Sequence, residues 1–319
     1  MKKQFLTTVI VICSFLLPLK ARAASLFSEL YIFGDSLSDT GNAFNATGGA
    51  APPYPDGNGR FSNGQIWVEY LAQELGLTPN QSTNFAFGGS TTGTNNTIVP
   101  ALPGLEQQIN GFTAANPVAD PDGLYIVWAG SNDYLGGGIT NPSEPLTNLA
   151  NALTALAGVG AQNIMVVNLP DLGNLPVTVN TPNSAALNTL TGFHNDGLTQ
   201  TLNNLSQNLT PNVNFIPLDL NSLVSDAINN PANFGFTNVT EGCLLVGCTN
   251  PDEYLFWDTI HPTTVAHQFI GELAFNTLQP NSPASVPEPT FALGILAFGA
   301  LATKEMFKRK LSTSGDCQR

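Results

Sequence analysis

Three stretches of this 319-residue chain are apolar or β-branched almost without interruption: 124–129 (Leu-Tyr-Ile-Val-Trp-Ala), 163–168 (Asn-Ile-Met-Val-Val-Asn) and 213–218 (Val-Asn-Phe-Ile-Pro-Leu). A strand with one wet face alternates apolar and polar residues. One without that alternation is buried on both faces, as in a parallel sheet covered by helices above and below. Two further β-prone runs, 29–34 and 83–87, precede these three. Helical patterns lie between the runs. Ile66, Trp67, Tyr70, Leu71 and Leu75 follow Ser62-Asn63, a candidate cap, and 102–112 reads as a second helix. Leu146, Leu149, Ala150, Leu153 and Leu156 form a stripe that ends at Gly158. The segment 183–208 carries Leu187, Leu190, Phe193, Leu198, Leu202 and Leu205, and Val265, Phe269, Leu273 and Phe275 mark a final helix. Such alternation builds right-handed βαβ units. The expected fold is therefore α/β: a three-layer α/β/α sandwich around a mostly parallel, five-stranded sheet. The loops 43–62, 88–100 and 230–257 are long and rich in Gly, Asn and Pro, as binding loops often are.

Both ends read as sorting signals. Met1-Lys2-Lys3, an apolar run to Leu19 and Ala21-Arg22-Ala23 form a signal peptide over 1–23, to be cut by signal peptidase after Ala23. A single domain is expected over 24–279, followed by a linker at 280–286. Residues 287–310 hold Pro287-Glu288-Pro289, an apolar membrane segment and the basic stop Lys308-Arg309-Lys310, with 311–319 left as a tail. This arrangement resembles the PEP-CTERM sorting signal, which implies exosortase processing. Lys304 departs from that pattern, because it shortens the uncharged run and would have to snorkel. The expected location is exported: periplasmic, cell-surface or extracellular, with transient anchoring by the C-terminal membrane segment.

Nine of the ten Lys and Arg residues lie in those terminal regions. Between Ala24 and Thr303 only Arg60 is basic, against 21 Asp and Glu, a formal charge of −20. A field of that sign repels phosphate backbones, which excludes nucleic acid as a partner and disfavours anionic membranes; an uncharged ester or sugar fits it better. Cys13 belongs to the leader and Cys317 to the tail. Cys243 and Cys248 remain, and in an oxidising compartment they are expected to pair. Nearby ligands are too few for a metal site, and no cofactor is implied.

Four stretches carry candidate chemistry. The first run ends in Gly34-Asp35-Ser36-Leu37-Ser38-Asp39-Thr40-Gly41-Asn42, which puts Ser36 at a strand's carboxyl end, where open α/β sheets bind ligands. Alone, Ser36 or Ser38 is as good a helix cap as Ser36 is a nucleophile. Asn84-Phe85-Ala86-Phe87-Gly88-Gly89-Ser90 brings two glycines whose backbone N–H groups have no Cβ in the way; alone it is an ordinary turn. Gly130-Ser131-Asn132-Asp133-Tyr134 places an amide at another strand end. Trp257-Asp258-Thr259-Ile260-His261-Pro262 spaces a carboxylate three residues before a histidine, ahead of a helix that Pro262 can open. Of the two other histidines, His194 reads as a surface residue beside Asn195 and Asp196. His267 lies on the last helix, facing solvent or packing.

Together these blocks resemble the GDSL, or SGNH, hydrolase family, in the family's order and over the whole body from Tyr31 to Leu278. Ser36, Gly89, Asn132 and His261 stand at the four letters of the second name. The resemblance implies a flavodoxin-like sheet and acyl transfer through a serine ester. In that chemistry Ser36 is the nucleophile, His261 the base and Asp258 its orienting acid. The Ser36 and Gly89 N–H groups and the Asn132 amide form the oxyanion hole, with Gly88 as the alternative to Gly89. Asp35 and Asp39 are expected to brace the first loop through backbone hydrogen bonds. The activity implied is that of an esterase or lipase. Alternatives at the same site are an acyltransferase or a deacetylase of exopolysaccharide, and a non-catalytic matrix protein is the reading from another class. Phe44, Phe61, Phe234 and Phe236 are candidates for acyl contact or for loop packing.

Overall fold

The computed structural model describes residues 26–54, 58–209 and 213–279. The expected signal peptide (1–23), linker (280–286), membrane segment within 287–310 and tail (311–319) lie outside the described residues. No helix among the described residues is long and apolar enough to cross a membrane.

In chain order the elements are β1 (Leu30–Gly34), α1 (Asn42–Ala46), α2 (Trp67–Glu74), α3 (Leu105–Ala115), β2 (Leu124–Trp128), α4 (Ser131–Leu135), α5 (Ser143–Gly158), β3 (Asn163–Val167), α6 (Ser184–Asn208), β4 (Asn214–Leu218), α7 (Leu220–Asn229), β5 (Asn238–Gly242), α8 (Cys243–Val246), β6 (Tyr254–Phe256) and α9 (Thr264–Leu278). Strands β1 to β4 pair in that order, all parallel. Every side chain of β2 is buried, as its unbroken apolar run requires.

The alternation of side chains along each strand sorts the core into two halves. Ile32, Leu124, Ile126, Trp128, Met165 and Val167 face a cluster completed by Trp67 and Leu71 of α2, Leu220 of α7 and Ile270 of α9. Phe33, Tyr125, Val127, Ile164 and Val166 face the opposite one, with Leu105 and Ile109 of α3, Leu149 and Leu153 of α5, and Leu198 of α6. This is the expected three-layer α/β/α sandwich, with every strand's carboxyl end at one edge.

The structure departs from the sequence reading at several points. The run 83–87 is not a regular strand. Its backbone lies beside β1, where Phe85 N–H donates to Ile32 O (2.7 Å) and Phe87 N–H to Gly34 O (3.1 Å), but only one ladder bridge forms, Ile32 with Asn84. On its other side the Asn42 amide donates to the Asn84 and Ala86 carbonyls, and Ala86 N–H turns to the Asn84 side chain. The sheet therefore has four regular strands, and its edge is closed by side-chain amides instead of a fifth ladder. Asn63 does not cap α2: its side chain accepts from Thr264 N–H (2.8 Å) at the start of α9. Helix α9 opens at Thr264 with Thr263 as its cap, two residues beyond Pro262. The loop 230–257 contains β5, α8 and β6, and within it the structure joins Cys243 and Cys248 as a disulfide. Phe234 and Phe236 are buried against Phe269, as core packing.

Candidate active site

Strand β1 delivers Ser36. It ends at Gly34, whose φ of +150° disfavours a side chain and where a Cβ would overlap the Trp128 carbonyl of β2. The buried Gln108 of α3 grips this position with both ends of its amide. It accepts from Gly34 N–H (2.9 Å) and donates to Gly34 O (2.9 Å) and to Ser90 Oγ (2.9 Å). The chain then turns through Asp35, whose carboxylate accepts from Leu37 N–H (3.0 Å), and no helix starts at Ser36 or Ser38. Ser38 Oγ instead accepts from the Trp67 indole (3.2 Å).

The loop between β6 and α9 delivers the histidine. Asp258 Oδ1 accepts from Ile260 N–H (2.8 Å) and His261 N–H (2.7 Å), a tight turn that fixes carboxylate and imidazole in one geometry. His261 Nδ1 lies 2.8 Å from Asp258 Oδ2, and His261 Nε2 lies 2.8 Å from Ser36 Oγ. Two residues 225 positions apart thus meet at hydrogen-bond distance, both almost excluded from solvent. With Nδ1–H donating to the carboxylate, Nε2 presents its lone pair to the serine hydroxyl. Burial alone raises the Asp258 carboxyl. The His261 charge and ring hydrogen bond, the backbone N–H and the Tyr54 hydroxyl outweigh that and hold it well below the usual carboxylate range.

The other two blocks arrive beside the serine. Gly88 N–H is taken: it donates to Asp39 Oδ2 (2.8 Å). Gly89 has φ +83° and its carbonyl is held by Thr97; among the described residues its N–H has no hydrogen-bond partner, and neither has that of Ser36. Asn132 is the second residue of α4, two residues beyond Gly130. Its amide donates to Ser90 O (3.0 Å) and, at 3.3 Å, to Asp35 Oδ2. An incoming oxygen anion would compete for the longer of those bonds. Burial pushes the Asp35 carboxyl up to about 7, with the His261 charge pulling the other way. Asp39 is fully buried and accepts from Gly41, Asn42 and Ala43 N–H as well as from Gly88, so it braces the first block against the second.

His194 is not a surface residue. It is completely buried, with Nδ1 2.7 Å from the Tyr134 hydroxyl, and burial lowers its pKa to about 4. His267 does not face solvent either; it is buried on α9, with its pKa lowered to about 3 by burial first and the His261 charge second. Neither reaches Ser36. The sequence reading did not single out Tyr54 or Gln108. The Tyr54 hydroxyl donates to Asp258 Oδ2 at 2.6 Å across 204 residues, a contact that no local spacing announces.

A serine, an imidazole and a carboxylate in hydrogen-bonded series at the carboxyl edge of a parallel sheet define the serine-hydrolase type of site. Residues 30–274 match the family described as GDSL-like Lipase/Acylhydrolase, and the chain belongs to it. Its chemistry is hydrolysis at ester bonds. A phosphatidylcholine-sterol acyltransferase of Aeromonas hydrophila is 29% identical, over 78% of this chain and 89% of its own length. A GDSL esterase/lipase of Arabidopsis thaliana is 30% identical, over 77% and 81% respectively. An uncharacterised Pseudomonas putida protein is 31% identical over 80% of this chain, which spans about half (49%) of that relative's length. A lipolytic G-D-S-L family protein of Veillonella parvula shares 15% identity at a TM-score of 0.46, over 78% of this chain and 97% of that one. That likeness is too loose to bear on substrate.

Proposed function

We propose that this chain is an exported serine esterase or lipase that works through an acyl-enzyme on Ser36. Ser36 Oγ attacks the ester carbonyl while His261 Nε2 takes its proton. Asp258 keeps the imidazole in the productive tautomer and stabilises the imidazolium that forms. The oxyanion settles between the Ser36 and Gly89 N–H groups and the Asn132 amide. Gly89 is preferred to Gly88 because Gly88 N–H is spent on Asp39. His261 returns the proton to the leaving alcohol, and water then repeats the sequence to free the acid. The observation that carries this reading is the 2.8 Å approach of His261 Nε2 to Ser36 Oγ with Asp258 behind it.

The test is labelling by a fluorophosphonate probe, together with release of p-nitrophenol from acyl esters of graded length. Wild-type protein labels and turns over, and Ser36→Ala does neither. Folded wild-type protein that neither labels nor hydrolyses any ester would return the chain to the non-catalytic alternative. The Aeromonas relative's name favours a second reading, in which an alcohol replaces water as the acyl acceptor. Incubation with phospholipid, with and without an added sterol, separates the two by product, sterol ester against free fatty acid. Export rests on the leader at 1–23, and the test is N-terminal sequencing of secreted protein: a start at Ala24 would support it, and a retained leader would contradict it. Disulfide pairing of Cys243 with Cys248 fits the same compartment. The sorting tail favours a matrix-facing site, for which acetate release from acetylated polysaccharide is the assay.

A further inference from the structure

The Asp258 carboxylate is held by more than the histidine. Oδ1 accepts two backbone N–H groups, and Oδ2, the oxygen that receives His261 Nδ1–H, also receives the Tyr54 hydroxyl at 2.6 Å. The same hydroxyl oxygen stands 3.4 Å from His261 Nδ1 itself. Tyr54 is seated for this contact. Its ring packs edge-on against Trp257 (6.1 Å, 87°) and against Phe61 (6.4 Å, 79°), and Phe61 lies 5.1 Å from the imidazole. A residue from the segment between α1 and α2 therefore completes the shell of a carboxylate that belongs to the other end of the chain.

We propose that Tyr54 is a positioning residue for the Ser36–His261–Asp258 site, whose hydroxyl fixes the Asp258 rotamer and tempers the pull of Oδ2 on His261 Nδ1–H. The inference rests on the reading of those three residues as catalytic. The physical argument has two parts. A carboxylate oxygen that accepts a second charge-assisted hydrogen bond shares its negative charge with that donor and becomes a weaker acceptor for the imidazolium. Remove the hydroxyl and Oδ2 binds the proton on Nδ1 more strongly, so the charged imidazole is favoured and His261 is lost as a base at a higher pH. The second part is geometric. Oδ2 without its outer partner is free to rotate, and the imidazole loses alignment with Ser36.

The decisive variant is Tyr54→Phe, which keeps the ring between Trp257 and Phe61 and deletes only the hydroxyl. The acid limb of its kcat/KM profile moves upward by about 0.5 pH unit, and kcat/KM falls about 10-fold at neutral pH. The other titratable groups facing the imidazole are Asp35 beside Ser36 and His267 on α9; they are the same in both proteins and cancel in the comparison. Phe61→Leu loosens the aromatic packing with the hydroxyl kept, and moves the limb less than Tyr54→Phe does. An acid limb in Tyr54→Phe that superimposes on wild type, or one that Phe61→Leu shifts equally, overturns the proposal. Titration of the His261 Nδ1 proton resonance by NMR reads the same shift without substrate. A chain that fails to label at Ser36 thus contradicts the functional reading, whereas an unmoved resonance contradicts the role of Tyr54.

Discussion

Asp39→Asn tests how the proposed oxyanion side of the site is built. Asp39 is fully buried, and its two oxygens accept four backbone N–H groups: Gly41 (2.8 Å) and Asn42 (2.6 Å) on Oδ1, Ala43 (3.0 Å) and Gly88 (2.8 Å) on Oδ2. Asparagine keeps one acceptor edge and turns an NH2 group toward the other two donors. Two buried N–H groups then lose their partner and meet another donor head-on. Each unmet buried donor costs about 1–3 kcal/mol, or about 2–6 kcal/mol for the pair. Burial raises the Asp39 carboxyl above its ordinary range, so deleting the charge recovers some desolvation and places the expected loss toward the lower half, about 2–4 kcal/mol. At about 2–4 °C per kcal/mol for a domain of this size, melting falls by about 4–16 °C. The catalytic consequence is separate. Freed from Asp39, Gly88 N–H no longer fixes the peptide that aims Gly89 N–H, and kcat drops by up to about 100-fold, the scale of one lost oxyanion donor. Urea unfolding at pH 7 and p-nitrophenyl ester kinetics read the two effects. A variant within about 0.5 kcal/mol of wild type with unchanged kcat would refute the argument, because an amide cannot serve four donors.

Asn132→Ala should lower kcat by about 100- to 1,000-fold with little change in labelling by a fluorophosphonate present in excess; unchanged kcat removes Asn132 from the oxyanion hole. His194→Gln should flatten the acid side of the stability curve. His194 is neutral when folded down to about pH 4, whereas the unfolded residue takes a proton below about 6.5, so unfolding is favoured increasingly as pH falls through that window. The slope is about 1.4 kcal/mol per pH unit, reaching about 3 kcal/mol at pH 4. Because His267 and Asp35 titrate in both proteins, the difference between the wild-type and His194→Gln curves isolates His194, and parallel curves between pH 4 and 6.5 would contradict its burial.

What the sequence made legible follows from the range of each interaction. Strands β1 to β4 and the helices α2, α3, α5, α6 and α9 announce themselves because burial imposes a period on neighbouring residues. Ser36, Gly89, Asn132, Asp258 and His261 are legible because each sits in a short motif; the main sheet sets Ser36 and Asn132 at the ends of β1 and β2, and the segment after 83–87 and the loop after β6 bring Gly89, Asp258 and His261 to the same edge. Some signals were present and read wrongly. His194 lies four and eight residues before Leu198 and Leu202 on the buried stripe of α6; its polar neighbours Asn195 and Asp196 suggested surface, but helical phase decides the face. For His267, where solvent and packing were both open, the same rule selects packing: it shares the buried face of α9 with Ile270, Gly271 and Ala274. Helix α7 carries Leu220, Leu223, Val224, Ala227 and Ile228 behind Asp219, whose side chain accepts from Ser222 N–H, and so was readable by the same rule.

The contacts that stayed hidden are of another kind. Tyr54 to Asp258, Gly88 to Asp39, Gln108 to Gly34 and Asn63 to Thr264 each join one side chain to a partner 49 to 204 residues away. A single polar contact of this sort imposes no period on its neighbours, so nothing local encodes it. Yet these contacts hold what the motifs supply. Gln108 pins the turn into Ser36, Asp39 aims the Gly88–Gly89 peptide, and Tyr54 bounds the carboxylate that orients His261. A hydrogen bond loses strength steeply with misalignment, so reacting groups delivered by separate strand ends need such braces to stay in register. The division has an experimental consequence. On the proposed mechanism, variants at motif residues remove a reacting or stabilising group, whereas variants at the braces leave those groups in place and report their alignment and electrostatic setting, through pH limbs, stability and partial losses of kcat.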